Sequence, residues 1–251
     1  GSLCLGRFAG ILKEYGVTNP RAVATSAVRD AANGSMFVDL IYRQTGIALT
    51  LIDGEQEGAL TLGGVIAGLD CRPENLMVFD VGGGSTEYTL AHNGRAEFIK
   101  SLPLGVVRLT EGKVSPAEMS EKIDRELELL SREMTLSKTA LPDERTVLVG
   151  TAGTATTLAA ISMKLTSYDY RRVQNSILTI DEIRRIYALL LPLSLEERVA
   201  VPGLEKGRED LIIAGILITL HSMERFGFST FKVSDYGLLE GLIVTDEPPG
   251  L

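Results

Sequence analysis

Apolar residues recur at three- and four-residue spacing over 5–16, 33–46 and 55–69, which predicts three helices. Between them, 21–27 and 47–53 are short apolar and β-branched runs that read as strands. Gly16 and Gly46 stand where the first two helices should stop. The segment 70–76 is polar around Pro73, and a domain boundary is expected there. After it the period shortens. Residues 76–81, 85–91 and 95–101 read as three successive strands, and Asn93-Gly94 suits a two-residue hairpin turn between the last two. Ser115-Pro116 then opens a long amphipathic helix, with serine as cap and proline at the first helical position. A buried strand at 146–151 runs into a helix at 153–165. Thr179 and Glu182 form a capping box for a helix over 179–191. A long, mostly buried helix is predicted over 206–226, a last strand over 229–235 and a closing helix over 236–244.

The first part thus reads helix-strand-helix-strand-helix. The second echoes that order once its three leading strands are set aside, with no repeat at the residue level. The pattern predicts an α/β protein in two pieces: residues 1–72 as a partial first domain and 73–251 as a second. The last helix, taken as 236–246, is expected to pack back toward the first.

Charge narrows the partners. Lysine and arginine total 25 against 33 acids, a formal net charge of -8, so no broad basic field exists for nucleic acid or an anionic membrane. A polyanionic ligand would need backbone N–H groups, a few arginines and a bound cation. The apolar run 211–220 is too short to span a bilayer. Cys4 and Cys71 make no CxxC pair, so a reduced, cytoplasmic setting is expected. Two histidines are too few for a zinc-type cluster. His92 is expected in solvent at the hairpin, and His221 as a satisfied, partly buried side chain.

Candidate chemistry gathers at two glycine turns. In VFDVGGGSTEYTL, residues 78–90, Asp80 ends a buried strand and Gly82, Gly83, Gly84 and Ser85 follow. Glycines admit positive φ and let an anion approach the backbone N–H groups. An acid beside such a cradle would repel phosphate unless a divalent cation lay between them. A plain tight turn explains the glycines equally well. In VGTAGTAT, residues 149–156, a strand end runs straight into a helix through Gly150, Thr151, Gly153 and Thr154. A helix start offers free N–H groups to phosphate. Close packing of small residues is the competing explanation.

These two runs, with SLPLGVVRLTE and ATSAVRDAAN, resemble the exopolyphosphatase / guanosine pentaphosphate phosphohydrolase (Ppx/GppA) family over nearly the whole chain. The resemblance implies an actin-like fold, the ribonuclease H-like arrangement of actin, hexokinase and heat-shock ATPases, with two related α/β domains around a cleft. It implies a phosphohydrolase releasing terminal phosphate from polyphosphate or guanosine pentaphosphate, with Mg²⁺ as cofactor at Asp80. Polyphosphate and guanosine penta- or tetraphosphate are the implied partners, and pairing into a homodimer is a family habit. Arg29 and the two glycine turns would hold phosphate. Glu57, in DGEQEGAL (53–60), would be the general base, with Glu55 as the alternative. Both acids also suit a first helical turn, and Asp53 with Gln56 reads as a capping box. Glu87 fits the glutamate that ends the family motif, as a supporting partner or a cross-strand charge. Arg208 and Asp210 match a family run at a helix start, where a structural ion pair or substrate contact would serve.

Two departures from the family pattern stand out. No D-x-G-S-N-S-like turn is present, so the first domain is expected to lack its leading strands. The closing R-E-G run reads Leu239-Glu240-Gly241. A catalytically impaired phosphate- or alarmone-binding module, or an ATP-binding protein of the same fold, are the rival functions.

Overall fold

The structure, a computed structural model, describes residues 1–112, 115–139 and 141–245. The first piece comprises α1 (Ser2–Glu14), β1 (Ala22–Ala24), α2 (Ser26–Arg29), α3 (Gly34–Thr45), β2 (Leu49–Leu51) and α4 (Gly54–Gly68). β1 and β2 form a two-stranded parallel sheet with Ala22 opposite Leu49. Each strand has one neighbour, so the ladder spans only three of the seven residues expected for each. α1 buries no residue and leaves Leu3 and Phe8 exposed.

The second piece is built on a six-stranded sheet. Its elements are β3 (Asn75–Val81), β4 (Thr86–His92), β5 (Arg95–Leu102), α5 (Val106–Glu111), α6 (Pro116–Leu136), β6 (Thr146–Thr151) and α7 (Ala152–Ser162). There follow α8 (Tyr170–Val173), β7 (Ile177–Thr179), α9 (Ile180–Leu190), α10 (Leu195–Val199), α11 (Ile212–Phe226), β8 (Thr230–Val233) and α12 (Leu238–Val244). The strand order is β5-β4-β3-β6-β8-β7. β3, β4 and β5 form an antiparallel meander, whereas β6 and β8 run parallel to β3. A meander continued by parallel strands with helical crossovers is the ribonuclease H-like arrangement expected for an actin-like fold.

Both faces of this sheet are covered, and strand alternation assigns each residue a side. Met77, Phe79, Tyr88 and Leu90 point into the larger core with Leu127 of α6, Leu158 of α7 and Ile216 of α11. Leu76, Val78 and Ala91 point the other way, against Leu62 and Val65 of α4. Continuing that alternation, Asp80 and Glu87 fall on the α4 face, where the apolar pattern ends.

α4 reaches this face closely because its contact points are glycines. A Cβ on Gly54 would lie 2.3 Å from Cβ of Ser101, and one on Gly58 2.5 Å from Ile99. On its other side, α4 meets α12 where a Cβ on Gly241 would fall 1.9 Å from the Leu60 carbonyl oxygen. Arg21 adds hydrogen bonds to the carbonyls of Leu242 and Thr245. The last helix thus packs against α4; residue 246 lies outside the described residues.

Several local expectations are corrected. The helix expected over 206–226 begins at Ile212, because Gly207 holds φ +91 and breaks the run before it. β7 and α5 carry no strong local signal and owe their existence to tertiary partners. The Asn93-Gly94 hairpin turn is present, with φ 49 and 76. The capping boxes at Asp53, Ser115 and Thr179 all form. His92 is only half-buried and bonds Asn75 at 2.9 Å, while His221 bonds Asp124 at 2.6 Å. Among the described residues, no helix is long and apolar enough to cross a membrane.

Candidate active site

The site begins as a product of register. Asp80 and Glu87 are Cα partners across the β3–β4 ladder, and Glu87 is in turn opposite Ser101 of β5. On the other side of β3, Asp80 is opposite Thr151 of β6. Asp80 and Glu87 are 8% and 2% exposed, so neither charge is relieved by water. Thr61 of α4 donates to Asp80 at 3.3 Å, and Ser101 donates to Glu87 Oε1 at 2.6 Å. Like charges directly opposite on one sheet face are costly, and such a pair needs a compensating partner.

Glu57 joins them from α4. The Asp53 cap fixes the start of this helix, with Asp53 Oδ1 accepting from the Gln56 N–H at 2.8 Å. Glu57 then lies on the buried side of the first turn, and its Oε2 has no partner. Burial, then the charges of Glu87 and Asp80, push its pKa up to about 8, against the pull of Arg29 and a hydrogen bond from Thr25. Burial and Glu87 push Asp80 up to about 7. Glu87 is also raised by burial, held back by hydrogen bonds from Ser101 and Ser85. Glu55, the alternative base, shares the helical turn but is exposed.

Arg29 closes α2 and donates to the Ile52 carbonyl at 2.9 Å, which fixes the guanidinium beside the carboxylates. It lines a cleft of about 250 Å³ with Ser26, Ser85, Ser101 and Arg108. The first glycine turn forms one wall. None of Gly82, Gly83 and Gly84 adopts positive φ, so backbone freedom is not why they are glycines. Close approach accounts for Gly84, and for Gly105 across from the turn. A Cβ on Gly84 would sit 2.8 Å from Ser26 Oγ, and one on Gly105 2.2 Å from the Gly83 oxygen. The turn's carbonyls cap α5: Val106 donates to Gly82 and Val107 to Gly83, each at 3.0 Å. The N–H groups of Gly83 and Gly84 take no partner among the described residues.

The second turn is divided between core and surface. Gly150 faces the core, where a Cβ would meet the rings of Phe79 and Phe231 at 2.7 and 2.9 Å. Thr151 is buried next to Asp80 and donates to the Tyr236 carbonyl at 3.0 Å. Thr154 is buried against Gly215. Gly153 faces Arg208, whose Nη1 would be 2.0 Å from a Cβ there. Arg208 pairs with Glu205 at 2.8 Å rather than with Asp210. Beyond Gly153 opens a cavity of about 720 Å³ lined by Thr156, Tyr168, Val201, Leu204, Arg208 and Asp235.

The structure therefore gathers Arg29, Glu57, Asp80 and Ser85 in one place with Glu87, and sets Gly153 at a second opening. Sequence reading missed Ser26, Ser101 and Arg108. Ser101 and Arg108 flank the Leu104-Gly105 corner, and only the pairing of β5 with β4 and the docking of α5 on the glycine turn bring them in. Among the described residues, no group of three or more acidic, histidine or cysteine side chains is arranged to hold a metal on its own. The model of the Ppx/GppA phosphatase family matches residues 1–249.

The chain belongs to the Ppx/GppA phosphatase family. It is 31% identical over 248 residues to a bifunctional 3-dehydroquinate synthase/phosphatase of Fusobacterium nucleatum, covering 96% of this chain and 37% of that one. It is 30% identical over 251 residues to exopolyphosphatase 2 of Mycobacterium tuberculosis, covering 95% of this chain and 78% of that one. The chain thus spans little more than a third of the Fusobacterium protein's length. Among solved structures, the Ppx/GppA family member of Aquifex aeolicus matches with TM-score 0.80 and 33% identity over 96% of this chain and 78% of that one. An exopolyphosphatase from Cytophaga hutchinsonii matches with TM-score 0.85 and 26% identity over the same shares. The Ppx/GppA fold is thus present in the described residues, and the carboxylate cluster sits at the end of β3 and the start of β4, beneath α4.

Proposed function

We propose that this Ppx/GppA chain is a phosphohydrolase that removes terminal phosphate from a phosphoric anhydride by attack of water. The observation that carries the reading is Glu57: a buried carboxylate with an unpartnered oxygen, set among two further buried acids and beside Arg29. Leaving a buried polar oxygen unpaired costs free energy, which favours a role that a bound water or substrate completes. Its raised pKa, near 8, suits proton abstraction close to neutral pH. Arg29 and the N–H groups of Gly83 and Gly84 would hold the phosphoryl oxygens. Phosphoryl transfer is chiefly positioning and charge stabilisation, and these are the parts present.

Magnesium fits the donor set. The ion characteristically takes one or two carboxylates, several waters and substrate oxygens rather than a full protein cage. Asp80 would hold it, and when bound it would supply charge neutralisation between the carboxylates and the phosphate. Glu57 orients and deprotonates the water, and Ser85 and Ser101 hold Glu87 in place beneath the cleft.

The relatives' names point to inorganic polyphosphate as a substrate. The cavity beyond Gly153 favours a nucleotide such as guanosine pentaphosphate as a second one. Its apolar wall of Val201 and Leu204, with Glu205 and Asp235 against the single Arg208, suits a heterocyclic base better than a polyanion. The test is phosphate release from each substrate, with and without Mg²⁺. Release from either supports the hydrolase; binding without release would make the chain a phosphate-binding module.

A further inference from the structure

Asp30 is an acid placed where an anion is expected to bind. It follows Arg29 at the end of α2 and stands at the mouth of the 250 Å³ cleft. Its two carboxylate oxygens face two different arginines. Oδ2 accepts from Arg108 Nη2 at 2.9 Å, and Oδ1 lies 3.8 Å from Arg29 Nε. Arg29 belongs to the first piece of the chain and Arg108 to α5 of the second. The carboxylate therefore bridges the two pieces through one guanidinium from each.

Arg108 is aimed rather than merely exposed. Its Nε donates to the Gly84 carbonyl at 2.8 Å, which fixes the guanidinium plane against the glycine turn. That leaves the Nη2 edge facing Asp30 and the cleft, where the hydroxyls of Ser26, Ser85 and Ser101 converge. Ser85 and Ser101 give their protons to Glu87; two guanidinium groups with the Ser26 hydroxyl between them match the oxygens of a phosphate, and arginine favours such paired contacts. The side chain of Asp30 is 53% exposed, so water already reaches it beside the two arginines.

We propose that Arg108 is a second phosphate-binding arginine, and that Asp30 is a resident stand-in anion that the substrate's phosphate displaces. The inference rests on the phosphohydrolase reading of the cleft, and assigns that site a clamp with one arginine from each side. In the free protein Asp30 neutralises both arginines and ties the two pieces together. On binding, a phosphate takes over the bridge and Asp30 turns outward. Asp30 therefore weakens substrate binding, and it does so through Arg108.

The experiment measures inorganic tripolyphosphate binding to the intact chain by calorimetry, independently of turnover. Asp30→Asn should tighten binding by roughly ten-fold, since it frees charge-assisted donors for the ligand. Arg108→Ala should weaken it by a similar factor, and Arg108→Lys should restore part of the loss. In the double variant the gain from Asp30→Asn should shrink to near zero, because no Arg108 remains to be released. Thermal unfolding checks that each variant is folded; if Arg108→Ala is not, the Arg108→Lys background replaces it in the cycle. Unchanged affinity in Asp30→Asn, or an equal gain with and without Arg108, would overturn the clamp. A clamp that fails in this way leaves Glu57-dependent phosphate release intact. Loss of phosphate release in the parent chain, with the binding cycle as expected, would instead fault the catalytic reading.

Discussion

Asp80 and Glu87 sit directly opposite one another on the same face of the β3–β4 ladder, both almost wholly excluded from solvent. Two like charges in that position cost the fold free energy, and each raises the proton affinity of its neighbours. Burial raises Asp80 most and the Glu87 charge adds to it, so Glu87→Gln should lower the Asp80 midpoint from about 7 while leaving it above the ordinary carboxylate range. Carboxyl-detected NMR titration reads this directly. An unchanged Asp80 midpoint would contradict the coupling.

Stability should carry the same signature. Between about pH 4.5 and 8 the folded chain keeps a proton on Glu57 that the unfolded chain has released. The native state binds more protons there, so unfolding free energy falls as pH rises through that window. Glu57→Gln removes the cost of ionising the group, and should raise the melting temperature most at pH 8 and little at pH 4. A larger effect at acid pH would reverse the sign and reject the assignment.

α12 is expected to hold α4 at a fixed distance from the sheet. Gly241→Ala would press a methyl group against the Leu60 carbonyl, where a Cβ would lie 1.9 Å away. Overpacking of this kind costs typically about 1–3 kcal/mol. Denaturant unfolding should show that loss, together with reduced activity from the displaced α4. An unaffected midpoint would show that the helix pair has room to relax.

How legible was this site in the chain? Asp80 and Glu87 were visible because each is the one acid in a strand-like run, continuous and apolar before the glycine turn and alternating after it; which face they share came only from the pairing of β3 with β4. Glu57 stood out only by resemblance, since acids in a first helical turn are ordinary. The glycine turn was visible but its reason was not. Positive φ and room for an anion at the N–H groups were the expected causes; none of the three glycines takes positive φ, and Gly84 is in close contact with Ser26. α5 was hidden because its cap comes from Gly82 and Gly83, some twenty residues earlier, and no local cap marks its start. β7 is three residues long and exists through its pairing with β8, a contact no local pattern encodes. Gly207, by contrast, gave a local warning that the helix before Ile212 would break.

The acid limb of the rate profile should follow Glu57. A base must be ionised to take a proton, so phosphate release should rise with pH through about 8 and fall off below it. Bound Mg²⁺ would draw the midpoint downward, and the shift should grow with Mg²⁺ concentration. A rate that falls as pH rises over this range would require an acid, not a base, at this position.

The most direct measurement compares Glu57→Gln with Glu55→Gln for phosphate release from polyphosphate, with calorimetric binding as a control. General-base catalysis contributes about 10²–10⁴-fold, so the Glu57 variant should lose that much turnover while retaining ligand. The Glu55 variant should stay near parental activity, because its carboxylate is exposed and adds only about 0.3–1 kcal/mol at the helix start. A silent Glu57 variant, or a larger loss at Glu55, would contradict the account.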